Sequence, residues 1–141
     1  MAHRLAPSPA GPLIPPREHP TLARLARYFG WRRLAVEWRG TPRHDISVAP
    51  GVNGTAPTVY VGPRWIRRGR PLKALAHEGI HGAGLEHGEY ARARGYYSKD
   101  RRKDTLTDRV YADALAGTAH FDPRRFGLDP LRFPLLYRRP R

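Results

Sequence analysis

Apolar residues recur at helical spacing in three parts of the chain. In the first part they follow Thr21, a residue type that commonly caps helices, and they stop at Gly30. This first predicted helix carries four such residues: Leu22, Leu25, Ala26 and Phe29. The last predicted helix spans residues 104–115 and has two distinct faces. One face carries Leu106, Val110 and Ala114, and the other carries Asp104, Asp108, Tyr111 and Leu115.

Between these helices, three short segments that contain β-branched and aromatic residues predict strands. They cover residues 34–38, 46–48 and 58–61, and each is followed by glycine or proline. Asn53-Gly54 and its neighbours predict a turn between the second and third strands. The order of elements therefore predicts a small α+β domain with an N-terminal helix, a three-stranded sheet, a central helix and one further helix.

The central helix is predicted to begin near Pro71, in the first-turn position that favours proline. Its apolar residues fall within about 140° of arc and form one stripe: Leu72, Leu75, Ala76, Ile80 and Ala83. His77 and His81 lie on the side away from that stripe. The helix can therefore bury one face and offer two imidazoles to a cleft.

Composition adds three constraints to this pattern. The 141 residues suit one domain, and we expect a loose Pro-rich arm over residues 1–19, a domain over 20–121 and an Arg- and Pro-rich tail over 122–141 whose apolar residues dock on the domain. The chain has no cysteine, so a metal site must use His, Asp or Glu. No apolar run is long enough for a membrane span and no signal peptide is evident, so we expect a cytoplasmic location.

The net charge of +14 favours nucleic acid or an acidic surface as a partner. Heavy use of arginine is also typical of a GC-rich genome. The Pro-rich ends suggest a further alternative, an assembly or structural role in which a partner orders both arms.

The segment His77-Glu78-Gly79-Ile80-His81 has the spacing of a catalytic zinc helix. Residues four apart lie above one another on a helix, so both imidazoles can reach one tetrahedral ion. Glu78 lies beside them, where it can take a proton from a water molecule as general base. His87 is a candidate third ligand if Gly82 and Gly84 allow the chain to turn back toward the ion.

The run HEGIHGAGLEH resembles the HExxHxxGxxH motif of zincin metallopeptidases, in particular the metzincins. Metzincins carry a methionine turn after the third His, whereas the only methionine here is Met1. His87-Gly88-Glu89-Tyr90 is similar to a segment of SprT-like and WLM-type proteases. In gluzincin-like peptidases an acidic residue on the next helix is the third ligand, which makes Asp108 the alternative to His87, with Glu86 and Asp104 after it.

The zincin resemblance implies a zinc-dependent peptidase that acts on proteins or peptides. It also implies that an extended substrate lies along an edge strand, for which residues 58–61 are the candidate, with a core strand as the equal alternative. An oxyanion stabiliser is expected besides the metal. The sequence does not choose among its candidates, which include arginines and four tyrosines: Tyr90, Tyr96, Tyr97 and Tyr111.

Overall fold

The structure, a computed structural model, describes residues 4–51, 55–85, 105–117 and 120–132. The chain forms the predicted α+β domain, in which helices cover one face of a three-stranded mixed sheet. Four helices are present in the described residues: α1 (His19–Tyr28), α2 (Pro63–Arg67), α3 (Leu72–Gly82) and α4 (Thr105–Leu115). The three strands are β1 (Ala35–Trp38), β2 (Ile46–Ala49) and β3 (Thr58–Val61). Short 3-10 turns span Pro16–Glu18, Pro123–Phe126 and Pro130–Arg132.

Helix α1 begins earlier than Thr21, the predicted cap. The chain enters it from the 3-10 turn, Glu18 is the N-cap, and Pro20 stands in the first turn, where its missing N–H costs no hydrogen bond. All four apolar residues predicted for its inner face are buried. The end is as predicted, because Gly30 has a φ of 73° and lets the Trp31 N–H reach the Ala26 carbonyl at 2.8 Å.

The sheet has the strand order β1-β3-β2, with β1 parallel and β2 antiparallel to β3. Alternate residues of the three strands face the helices and form the sheet side of the core: Val36, Trp38, Ile46, Val48, Val59 and Val61. Residues 58–61 therefore form the central strand. Of the two equal alternatives for this segment, the core strand is correct and the substrate-binding edge is wrong, because strand β3 is paired on both sides.

Helix α2 was not predicted from the sequence, in which Gly62-Pro63 indicates only the end of a strand. Pro63 instead opens a five-residue helix whose Trp65 is 1% exposed. The indole Nε1 of Trp65 donates to the Pro71 carbonyl at 3.2 Å, which ties this helix to the start of α3.

The described part of the N-terminal arm is packed rather than loose. The Ala6 N–H donates to the Gly40 carbonyl at 2.7 Å, and the Trp38 indole donates to the Ala6 carbonyl at 3.1 Å. Arg70 donates to the carbonyls of Pro12 and Leu13 at 3.0 Å each, and Ile14 is buried in the core. The arm therefore contributes to the same core as the helices.

The described start of the C-terminal tail docks as expected. Phe126 and Leu128 of the tail are buried. Phe121, directly before the tail, is also buried, and its N–H donates to the Tyr28 carbonyl at 2.7 Å. Arg125 binds the Asp113 carboxylate of α4 at 2.6 Å. None of the helices in the described ranges is both long and apolar enough to cross a membrane.

Candidate metal centre

Helix α3 presents the two histidines as the sequence predicts. The chain enters it through Pro71 as N-cap, and the apolar stripe is directed into the core, with Leu75 and Ile80 fully buried. His77, Glu78 and His81 are half-buried on the other side. The helix thus fixes the backbone of these residues through its packing and leaves their side chains at the border of solvent.

The imidazoles of His77 and His81 point toward each other. Their Nε2 atoms are 2.9 Å apart, and their rings meet edge to face with centroids 4.4 Å apart. Two imidazole lone pairs repel each other at this distance unless a proton or a metal ion lies between them. Two nitrogens on one tetrahedral zinc ion, at about 2.0–2.1 Å per bond, lie about 3.3–3.4 Å apart, so a small rotation of either ring suits such an ion.

The other nitrogen of His81 has a main-chain partner. Its Nδ1 is hydrogen-bonded to the carbonyl oxygen of Leu85. A carbonyl oxygen only accepts, so Nδ1 is the donor of this bond, and in the neutral ring Nε2 then keeps its lone pair. Metal-binding histidines commonly have such a partner on the nitrogen that does not bind the metal.

The two glycines expected to allow a turn have different roles. Gly84 has a φ of 104°, and its N–H donates to the His81 carbonyl at 2.9 Å as the helix ends. Gly82 is still helical. A Cβ on Gly82 would lie 2.5 Å from the Pro57 Cβ and 2.8 Å from the Val48 Cγ2, so Gly82 serves close packing against the sheet. This contact brings α3 beside β2, which pairs only with β3 among the described strands.

Four residues are candidates for the third ligand. His87, Glu86 and Asp104 lie outside the described residues. Asp108 lies on α4, where its Oδ1 is 3.3 Å from the Lys73 Nζ of α3 and both side chains are substantially exposed. Within residues 4–51, 55–85, 105–117 and 120–132, no three His, Asp or Glu side chains form a group that could hold a metal ion.

Of the four tyrosines considered as oxyanion stabilisers, Tyr111 is described. It is half-buried on α4, and burial, followed by the charge of Glu18, raises the pKa of its phenol. The side chain therefore stays neutral and able to donate a hydrogen bond. Tyr90, Tyr96 and Tyr97 lie outside the described residues.

Sequence reasoning missed the Leu85 carbonyl as a group of this site. Every residue except proline offers the same main-chain donor and acceptor, so residue type carries no signal for such a partner. Comparison with known proteins gave no match to a family model, a curated protein or a solved structure.

Proposed function

We propose that the chain is a zinc-dependent peptidase in which His77 and His81 bind the metal and Glu78 is the general base. The observation that carries the proposal is the pair of Nε2 atoms, 2.9 Å apart on one face of α3, together with the hydrogen bond between the His81 Nδ1 and the Leu85 carbonyl. Imidazole nitrogens that converge in this way are ligands that zinc prefers.

When bound, zinc polarises a carbonyl group and lowers the pKa of a water molecule toward neutrality. Glu78 follows His77 directly on the helix, and its carboxylate can accept the proton from the attacking water and pass it to the leaving amine. His87 is the proposed third ligand, because the chain turns at Gly84 and because Lys73 engages the rival Asp108.

Strand β2 supports a protein or peptide as the substrate. Among the described strands it has one paired side, and it lies against α3 through the contact of Val48 with Gly82. An extended peptide can add to such an edge through main-chain hydrogen bonds. The proposed substrate edge is therefore β2 in place of the central strand β3.

Zinc content is the direct test of the metal site. We expect the purified wild type to hold about one zinc ion per chain and the His77→Ala/His81→Ala variant to hold none. Elemental mass spectrometry measures the zinc content of both proteins. The matched control is His19→Ala/His120→Ala. This variant lacks two exposed histidines that lie outside helix α3, and it should keep the metal. Near-zero zinc in both the wild type and the control would refute the proposal.

A second candidate function, binding of nucleic acid, is favoured by the surface around Arg32 and Arg33. Both side chains are exposed, have no acidic partner among the described residues, and line two open grooves of about 450 and 410 Å³. Guanidinium groups without carboxylate partners are available to phosphates. By contrast, the packing of both described arms on their own domain weakens the alternative of an assembly protein whose arms a partner must order.

This candidate is tested by the salt dependence of binding to a DNA oligonucleotide. Arg32→Ala/Arg33→Ala should weaken binding and reduce the slope of log affinity against log salt by about two. Arg17→Ala/Arg68→Ala removes the same charge from two arginines that already pair with Glu18 and Asp45, and it should have a smaller effect. A wild-type slope near zero would contradict nucleic-acid binding.

A further inference from the structure

We infer that the main-chain carbonyl of Leu85 is a positioning group that fixes the tautomer and ring orientation of His81. The inference rests on the proposed function in one respect, the role of His81 as a metal ligand. The hydrogen bond from Nδ1 to this carbonyl leaves only Nε2 to face His77. Without it, the ring can rotate or move its proton to Nε2, which removes the lone pair that a metal needs.

The carbonyl is held from two sides. The Leu85 side chain is 2% exposed and belongs to the hydrophobic core, so it anchors the residue from within. On the other side the helix closes tightly, because the N–H of Gly84 donates to the carbonyl of His81 itself. The chain therefore turns back after Gly84, and the Leu85 carbonyl faces the ring of His81.

Gly84 makes this return possible. Its φ of 104° lies in the region that residues with a Cβ rarely adopt. A side chain at this position would move the backbone toward negative φ and carry the Leu85 carbonyl away from Nδ1. Gly84 therefore has two consequences for the site, since it turns the chain after α3 and also places the acceptor that orients His81.

The test compares two glycines of similar backbone conformation, one beside the site and one away from it. Gly84 follows α3 and Gly117 follows α4; both are exposed, have positive φ (104° and 84°) and stand shortly after a helix. Gly84→Ala and Gly117→Ala should therefore lower the melting temperature by similar amounts. Zinc affinity, measured by competition with a chelator, should fall by roughly 10- to 100-fold in Gly84→Ala alone.

A spectroscopic measurement tests the inference without any variant. Nitrogen-15 NMR of the metal-free wild type should show the proton of the neutral His81 ring on Nδ1, and Gly84→Ala should show a mixture of both tautomers. A proton on Nε2 in the wild type would overturn the inference, as would equal zinc affinities of the two alanine variants. A wild type with the Nδ1 proton that binds no zinc would support the positioning bond and refute the proposed function.

Discussion

Gly82 lies so close to Pro57 that no side chain fits at the glycine position. A Cβ at Gly82 would lie 2.5 Å from the Pro57 Cβ, well inside van der Waals contact. This approach places the last turn of α3 directly on the segment that leads into β3 and beside Val48 of β2. The position of the two histidines relative to the sheet therefore depends on the absence of a single methyl group.

Gly82→Ala should destabilise the protein by about 1–3 kcal/mol, because the added methyl group meets a rigid proline ring in a packed core. Gly79→Ala is the matched control in the same helix. There the nearest atom is the Leu34 Cδ2 at 3.1 Å, the end of a flexible side chain, and the gain in helix propensity of up to about 1 kcal/mol offsets the contact. Urea unfolding of both variants measures the difference, and equal free energies of unfolding would show that Pro57 gives way.

Glu78→Gln should keep zinc and lose hydrolysis. The amide has the shape of the carboxylate but cannot accept the proton, so the rate of cleavage of a denatured protein such as casein should fall by roughly 10²- to 10⁴-fold. Glu37→Gln, at an exposed position on β1, makes the same chemical change away from the site and should leave the rate unchanged. A Glu78→Gln protein with full zinc and wild-type turnover would remove Glu78 from the mechanism.

The choice of third ligand is tested by His87→Ala and Asp108→Ala. Asp108 is bound to Lys73, so its removal should leave zinc affinity unchanged, whereas removal of His87 should lower it by at least roughly 100-fold. Competition with a chelator measures both. The reverse order of the two effects would identify Asp108 as the ligand and would require its carboxylate to leave Lys73 when the metal binds.

Tyr28 should make the stability of the protein fall at high pH. Burial, followed by the 2.6 Å hydrogen bond to Asp113, raises the pKa of its phenol well above the ordinary value of 10. The folded protein therefore holds this proton more tightly than the unfolded chain. The contribution of Tyr28 is fully present below pH 10, and it decreases as the pH rises above 10, by at most about 1.4 kcal/mol per pH unit.

Tyr28→Phe provides the comparison, because it removes the titrating proton and keeps the ring. The wild type should be more stable than the variant at pH 8, and urea unfolding should show this difference shrinking between pH 10 and pH 11. Parallel stability curves for the two proteins over that interval would contradict the raised pKa.

The sequence by itself determined the local features of this protein. Apolar residues 72, 75, 76, 80 and 83 predict which face of α3 is buried, because helical geometry alone relates spacing to direction. The same geometry places His77 and His81 on the opposite face. The bounds of the three strands were also predicted to within one residue, since each strand is a short run that is followed by glycine or proline.

Only the tertiary structure decided how these elements are arranged. Three features depend on contacts between residues that are far apart in sequence. They are the central place of β3 in the sheet, the packing of the arm through Ala6 and the contact of Gly82 with Pro57. The Leu85 carbonyl depends on the backbone angle at Gly84, and no residue type encodes a main-chain acceptor. Periodicity records the direction in which a side chain points, whereas the partner it meets is set by the packing of the whole chain.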